Sequence, residues 1–370
     1  MRVVQVGKYY YPYMGGIENH LYTLCNELKH HVDLDVVVSN TKLRTSRDVY
    51  EGVSVTRCGA AAHFASTTLS PTMALELSQR EYDVLHLHLP HPVGVASYLA
   101  SRKPKRHRLV VSYHSDVVRQ KRLLALYAPL VDRLLARADA VIATSPNYVE
   151  SSSVLQRYRT KCSVVPYGID LDLFARTEER ERAAAEIRAR FGSAPLLVAV
   201  GRLIYYKGFE FAIRAMPQVP RAHLLIIGDG PLKAELTKLA AELGVADRVH
   251  LLGELPNDTI PPYYLASELY LLPSIARSEA FGIVQIEAMA SGLPVINTSL
   301  ASGVPYVSRH GESGLTVPPE DPVALARAIN TLLESSETRR KMADVGRARA
   351  ERDFSKATLA ERVTQLYAPS

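Results

Sequence analysis

The sequence predicts an α/β protein built from two doubly wound parallel sheets, and three observations carry that prediction. Short β-branched or leucine-rich runs alternate with longer amphipathic stretches, a pattern that belongs to parallel sheets covered on both faces. At 370 residues the chain exceeds one ordinary core, and about 150 residues per domain gives two. The alternation is broken once, by the charged helical stretch RTEERERAAAEIRARFG (Arg176–Gly192) ahead of a fresh strand.

Taken in order, the first half offers the strands RVVQV, LDVVVS, VLHLHL, LVVSYH, AVIATS and CSVVPYG; the second offers LLVAVG, HLLIIG, VHLLG, LYLLPS and PVINTS. The domains are expected at 1–175 and 176–354. The closing segment 355–370 is helical with no strand after it, and is expected to pack back on the first domain. Two such domains imply a cleft, and ligands in such sheets bind outside the carboxyl ends of the strands.

Composition narrows the class. With 47% hydrophobic and 22% charged residues the chain reads as soluble and globular, and no apolar run approaches the roughly 18 residues of a membrane span. The start MRVVQVGKYY lacks the pattern of a secretory signal, so a cytoplasmic location is expected, with peripheral attachment to the inner membrane face as an extension. Cys25, Cys58 and Cys162 are odd in number and far apart, which argues against a disulfide framework or a zinc site. The net charge of +6 is uneven: residues 101–137 hold ten Lys/Arg against two acids. Such a patch attracts anionic surfaces, whether phospholipid, nucleic acid or phosphorylated substrate; a solvated face is the plain alternative. Within it, VVRQKRLLALYAPLVDRLLARAD reads as an interfacial helix for anionic lipid or as a core-facing helix with solvated arginines.

Four motifs lie at strand ends. Gly15 and Gly16 precede a helix with Ile17, Leu21, Leu24 and Leu28 on one face; glycines there let backbone amides approach a phosphate, although Gly-Gly also serves as a plain turn. In VAVGRLIYYKGF, Arg202 ends a strand and Lys207 precedes a helix, so both cations can converge on one diphosphate. LLIIGDGP is a strand and a Gly-rich turn, but neither loop spells GxGxxG or GxxxxGK[ST], which disfavours nicotinamide or flavin binding and a P-loop. SEAFGIVQIEAMASGLPVI places Glu279 and Glu287 among apolar residues, where a carboxylate costs several kcal/mol unless partnered. A helix starting at Phe281 or Gly282 and running to Ser291 puts Glu279 in the loop ahead and Glu287 in the second turn. Such a site offers amides to an anion and carboxylates to sugar hydroxyls.

With these motifs in their order, together with YHSD, VVPYGID and GESGLTVPPED, the chain resembles the retaining glycosyltransferases of family 4, including their mannosyltransferases, over nearly its whole length. That resemblance implies a GT-B fold of two Rossmann-like domains facing across a cleft, the first binding acceptor and the second a nucleotide sugar. It implies that Arg202 and Lys207 grip the donor diphosphate, Glu287 the ribose and Glu279 the transferred sugar, that His114 lies near that sugar and its phosphate, and that the amides of Gly15, Gly16, Phe281, Gly282, Ile283 and Val284 close around the leaving group. No metal or other cofactor is expected. The implied reaction moves a hexose, mannose from GDP-mannose being favoured, to a lipid-linked or oligosaccharide acceptor in polysaccharide or lipopolysaccharide synthesis, with retained configuration and no nucleic-acid partner. A UDP-sugar donor, an epimerase or hydrolase of the same fold, and a non-catalytic partner subunit are the alternatives.

Three features read less functionally. His86 and His88 share a strand face with His91 beyond, which imitates a metal cluster, but no carboxylate or thiol is near in sequence. Asp170 and Asp172 spell an Asp-x-Asp but sit where capping is expected. Tyr9, Tyr10, Tyr11 and Tyr13 fit an acceptor platform or local packing equally.

Overall fold

A computed structural model describes residues 1–13, 15–64, 67–116 and 121–368, with the backbone alone at 63, 64, 67 and 121–126. They fall into two compact units, Met1–Gly168 with Lys356–Ser370, and Ile169–Ser355. The second begins ahead of Arg176 because residues 169–175 pack against elements later in the chain. Asp170 caps a short 3₁₀ turn by accepting from the Asp172 amide at 3.2 Å, and Phe174 meets Tyr264 with ring centroids 6.1 Å apart. The charged stretch becomes the helix Glu178–Ala189, capped by Thr177, with three acids in its first turn where the helix dipole favours them. It is pinned by Arg188 on Glu268 at 2.6 Å.

The first unit contains β1 (Arg2–Gly7), β2 (Asp33–Ser39), β3 (Ser46–Tyr50), β4 (Val53–Cys58), β5 (Ala62–Phe64), β6 (Thr67–Leu69), β7 (Val84–Leu89), β8 (Arg108–Tyr113), β9 (Ala140–Ala143) and β10 (Cys162–Val164). Eight of them make one sheet in the order β10-β9-β8-β7-β1-β2-β4-β3, while β5 and β6 form a separate pair. All neighbours in the large sheet are parallel except β3 and β4. Connections run one way from β1 and the other way from β7, so the crevice between these two strands is the topological switch point. The strands β3 to β6 are absent from the sequence reading. For β3 and β4 a signal existed: Glu51 (φ 47°) and Gly52 (φ 82°) form a two-residue turn with both residues left-handed, the geometry that closes a tight hairpin.

The second unit contains β11 (Leu196–Val200), β12 (His223–Ile227), β13 (Val249–Gly253), β14 (Leu269–Leu271), β15 (Val295–Thr298) and β16 (Gly314–Val317), the last also unforeseen. Their order, β13-β12-β11-β14-β15-β16, is the dinucleotide-fold order, with its switch point between β11 and β14.

The closing helix Lys356–Tyr367 belongs to the first unit, where it buries Leu359, Ala360, Val363 and Tyr367. Arg108 donates to its last turn at the Leu366 carbonyl, 2.8 Å away, which suits the negative end of the dipole. The helix Lys121–Arg137 turns Tyr127, Val131, Leu134 and Leu135 into the first unit's core and leaves Arg133 and Arg137 exposed. From Tyr127 onward its apolar face is therefore already occupied, as in the core-facing reading. Arg119 and the side chains of Lys121, Arg122, Leu123 and Leu126 lie outside the described residues. Tyr11 stacks on Tyr22 and lies tilted against Tyr50, and Tyr9 lies tilted against Tyr13, which stays exposed.

Candidate active site: a charged cluster and a histidine network

In the second unit, β11 runs into a turn that ends at Gly208. That residue has φ 63°, and an added β-carbon would fall 2.1 Å from the Pro273 carbonyl oxygen. Only glycine allows so close an approach of the two backbones, and the approach delivers Lys207 to the loop after β14. There its ammonium lies 2.6 Å from Oε2 of Glu279, and the Ser274 hydroxyl donates to the same oxygen at 3.1 Å. Glu279 is 8% exposed. Burial acts to lower the Lys207 pKa, but the Glu279 carboxylate outweighs it and the net shift is upward, so the ammonium keeps its proton. Arg202 is exposed. The Tyr206 hydroxyl is pushed up mainly by burial, with the charges of Lys207, Glu279 and Arg202 as further influences.

The helix after this loop starts at Val284, later than the sequence suggests, and runs to Ala290. Gly282 is left-handed at φ 73° and cannot be helical, so Phe281, Gly282 and Ile283 lie in the loop. Glu287 is consequently in the first turn rather than the second. A buried Gln285 clamps the loop: it donates to the Phe281 and Val304 carbonyls at 3.2 and 3.3 Å and accepts from Asn297 at 2.8 Å. The N–H groups of Gly282, Ile283 and Val284 meet no backbone acceptor among the described residues. Glu287 accepts from the Tyr264 hydroxyl at 2.8 Å through Oε2. Burial raises its pKa, against the opposing pull of Tyr264 and Lys207. One lysine thus senses two carboxylates, and each carboxylate has a hydroxyl fixing one oxygen.

The first unit is built differently. Gly15 is the cap of the helix Gly16–Leu28 in extended conformation, and the Glu18 carboxylate curls back so that an added β-carbon on Gly15 would fall 2.3 Å from its Oε2. An anion at these amides has to displace that carboxylate. His114 is buried with both ring nitrogens engaged: Nδ1 with the Tyr167 hydroxyl at 2.8 Å and Nε2 with His88 Nδ1 at 2.9 Å. His88 Nε2 meets Gln5 Oε1 at 2.9 Å, Gln5 Nε2 donates to the Tyr367 hydroxyl at 2.7 Å, and His86 joins Tyr367 to Ser112 at 2.8 Å on each side.

The protons in this chain are ordered by Gln5. Its carbonyl oxygen can only accept, so His88 carries hydrogen on Nε2 and a lone pair on Nδ1; His114 then donates from Nε2 and takes the Tyr167 proton at Nδ1. Burial, reinforced by neighbouring imidazoles, holds His88 and His114 well below the usual histidine range, so both are neutral. Of the histidines, His20, His88 and His114 bring ligand atoms within 4.8 Å of one another, a different trio from His86, His88 and His91. The His88 and His114 rings lie 8° from parallel with centroids 5.2 Å apart. With N···N at 2.9 Å, this is an edge-to-edge N–H···N bond that uses the lone pair a metal would need.

Residues 14–173 match the family described as Glycosyltransferase Family 4, and residues 181–349 match Glycosyl transferases group 1. Over 371 residues the chain is 33% identical to the O-antigen chain mannosyltransferase C of Escherichia coli, covering 99% of this chain and 98% of that protein. The chain belongs to the family 4 glycosyltransferases. This glycosyltransferase is also 34% identical over 363 residues to the D-rhamnosyltransferase WbpZ of Pseudomonas aeruginosa, covering 96% and 92% of the two chains. It is 27% identical over 373 residues to the GDP-mannose-dependent alpha-(1-6)-phosphatidylinositol monomannoside mannosyltransferase of Mycolicibacterium smegmatis, covering 96% and 95%. Its GT-B fold is shared with the sucrose-phosphate synthase of Thermosynechococcus elongatus, at TM-score 0.79, 24% identity and coverage of 99% and 98%. Sequence reasoning about the glycosyltransferase passed over Gln5, Tyr167, Tyr264, Ser274 and Gln285. Gln5 carried a signal as the one amide in the apolar run RVVQVG, and Tyr167 and Gln285 lie inside the motifs VVPYGID and SEAFGIVQIEAMASGLPVI.

Proposed function

We propose that this glycosyltransferase moves a hexose, mannose from GDP-mannose, to a lipid-linked or oligosaccharide acceptor in cell-surface glycan synthesis, keeping the anomeric configuration and using no metal. The observation that carries the reading is Lys207 held 2.6 Å from Glu279 with Glu287 in the neighbouring helical turn. A pre-paired, charged lysine beside two acceptor carboxylates suits a ligand that is both diphosphate and polyol. Lys207, with Arg202, stabilises negative charge developing on the departing diphosphate oxygen, and its geometry is set before the donor arrives. Glu287 has its second oxygen for ribose hydroxyls while Tyr264 holds the first, and Glu279 does the same for the transferred sugar with Ser274. No side chain is assigned as a nucleophile; the acceptor attacks from the face the diphosphate leaves, and a diphosphate oxygen takes its proton. The names of the Escherichia coli and Mycolicibacterium smegmatis relatives support mannose and GDP, and the rhamnosyltransferase relative makes a 6-deoxyhexose the next donor to try.

A thermal-shift panel of GDP, UDP and ADP tests the donor. A nucleotide at 100 times its dissociation constant adds about 2.7 kcal/mol of apparent stability, so GDP should raise Tm most. A larger shift with UDP overturns the GDP assignment.

A further inference from the structure

Among the described residues, seven carry buried side-chain polar atoms without a hydrogen-bond partner: Tyr10, His20, Ser39, Tyr82, His91, Thr144 and Ser291. Five of these line the carboxyl-terminal rim of the first unit's sheet. Ser39 ends β2, Thr144 comes after β9, His91 after β7 and Tyr10 after β1, and His20 is in the helix after β1. An unmet buried polar group costs about 1–3 kcal/mol, so a cluster of them at strand ends marks a place for a ligand's own polar atoms.

His91 is the extreme case, with both ring nitrogens unmet and 1% exposure. Gly94 lies so close to the ring that an added β-carbon would fall 2.4 Å from Nδ1. Nδ1 therefore faces the first turn of the helix Pro92–Ala100, without bonding to its amides. A neutral imidazole carries one N–H, so whichever nitrogen holds it is a buried donor with nothing to donate to. The nearest strand end supplies a cation. Val6 of β1 pairs with Leu87 of β7, so Lys8 continues the register opposite Leu89, two residues short of His91 at the switch point. The Lys8 ammonium stands over the Tyr9 ring at 5.3 Å and makes no ion pair within 4.0 Å among the described residues. Burial first, then the charge of Lys8, push His91 down to about 3, which keeps the imidazole neutral.

We propose that Lys8 and His91 form an anion-binding pair at the β1/β7 switch point that takes a phosphate group carried by the acceptor. The chemistry selects an anion over a sugar hydroxyl: both groups donate, no carboxylate among the described residues pairs with either, and a hydroxyl would need an acceptor as well. The inference rests on the reading of a lipid-linked acceptor, since such a substrate brings phosphate to the unit that does not hold Lys207.

The test tracks the imidazole resonances of the full-length protein, with His91 assigned by His91→Gln, during titration with inorganic phosphate, n-hexyl phosphate and n-octyl glucoside. The expected result is a saturable shift of the His91 signal with both phosphates, none with the glucoside, and roughly tenfold weaker phosphate binding in Lys8→Met. Tighter binding of hexyl phosphate than of inorganic phosphate assigns the group to a lipid-linked substrate, and equal binding assigns it to the phosphate alone. A His91 signal that ignores both phosphates, or one that responds equally in wild type and Lys8→Met, overturns the pair. Because the readout needs no sugar transfer, its failure is separate from failure of the donor reading.

Discussion

The two strand-end regions solve the problem of buried polarity in opposite ways. In the second unit the groups are charged and already matched: Lys207 with Glu279, Ser274 on the same oxygen, Tyr264 on Glu287. In the first unit they are neutral imidazoles in a proton-ordered chain, bordered by polar atoms with no partner among the described residues. The difference teaches which side is prepared in advance. In the proposed readings, the matched ion pair receives a donor of fixed charge, whereas the unmet neutral atoms and Lys8 receive partners that the acceptor brings.

The comparison can be broken most directly at Lys207. Lys207→Ala leaves Glu279 buried without its cation, a change of roughly 3–5 kcal/mol for a broken buried pair, and removes the charge proposed to face the departing diphosphate. Sugar transfer, measured with radiolabelled donor, should be abolished; unchanged turnover would mean that the Lys207–Glu279 pair is structural and that other groups meet the diphosphate.

A second measurement sharpens the contrast through pH. His20, His86 and His91 are pushed down to about 3, and His88 and His114 well below the usual range, in each case mainly by burial. A lowered histidine pKa means that the unfolded chain binds more protons. The stability these neutral rings contribute is therefore present above about pH 6.5 and lost as pH falls toward 3. Glu287 has the opposite sign. Its raised pKa makes the ionised form costly at neutral pH, and that cost vanishes as pH falls through its folded-state value. Hydrogen exchange at pH 7.5 and 5.0 should show the first unit losing protection in acid well before the second; parallel losses in both would erase the distinction.

The smallest effect is expected from Gln5→Leu, which removes the acceptor that orders the histidine chain. Leaving His88 Nε2–H unmet should lower stability by about 1–3 kcal/mol and let His88 exchange tautomers, visible in its ring nitrogen shifts. A variant with wild-type stability and an unchanged His88 tautomer would show that some other group sets the order.

Much of this arrangement was legible in the linear chain. The eleven apolar runs all became strands, because a continuous β-branched stretch can be buried only inside a covered parallel sheet. Most strands that escaped notice are short or lie at an edge: β3 is almost wholly exposed and β16 has four residues, so neither carries a strong apolar signature. By contrast, β4 is an interior six-residue strand whose sequence VSVTRC alternates instead of running continuously apolar. The start of the helix Val284–Ala290 was misplaced because side-chain type does not announce that Gly282 takes a left-handed φ.

The sequence alone determined the parallel α/β architecture, the position of each cation and carboxylate at a strand end, and membership of the glycosyltransferase family, since periodicity and motif order are properties of neighbours along the chain. Tertiary structure decided which of those groups meet. That Gly208 brings Lys207 to Glu279, that Gln5 and the closing helix fix the tautomer of His114, and that both nitrogens of His91 are left buried without a partner all depend on how residues distant in sequence pack together. Such pairings arise from how strands and helices pack, and no local pattern encodes them.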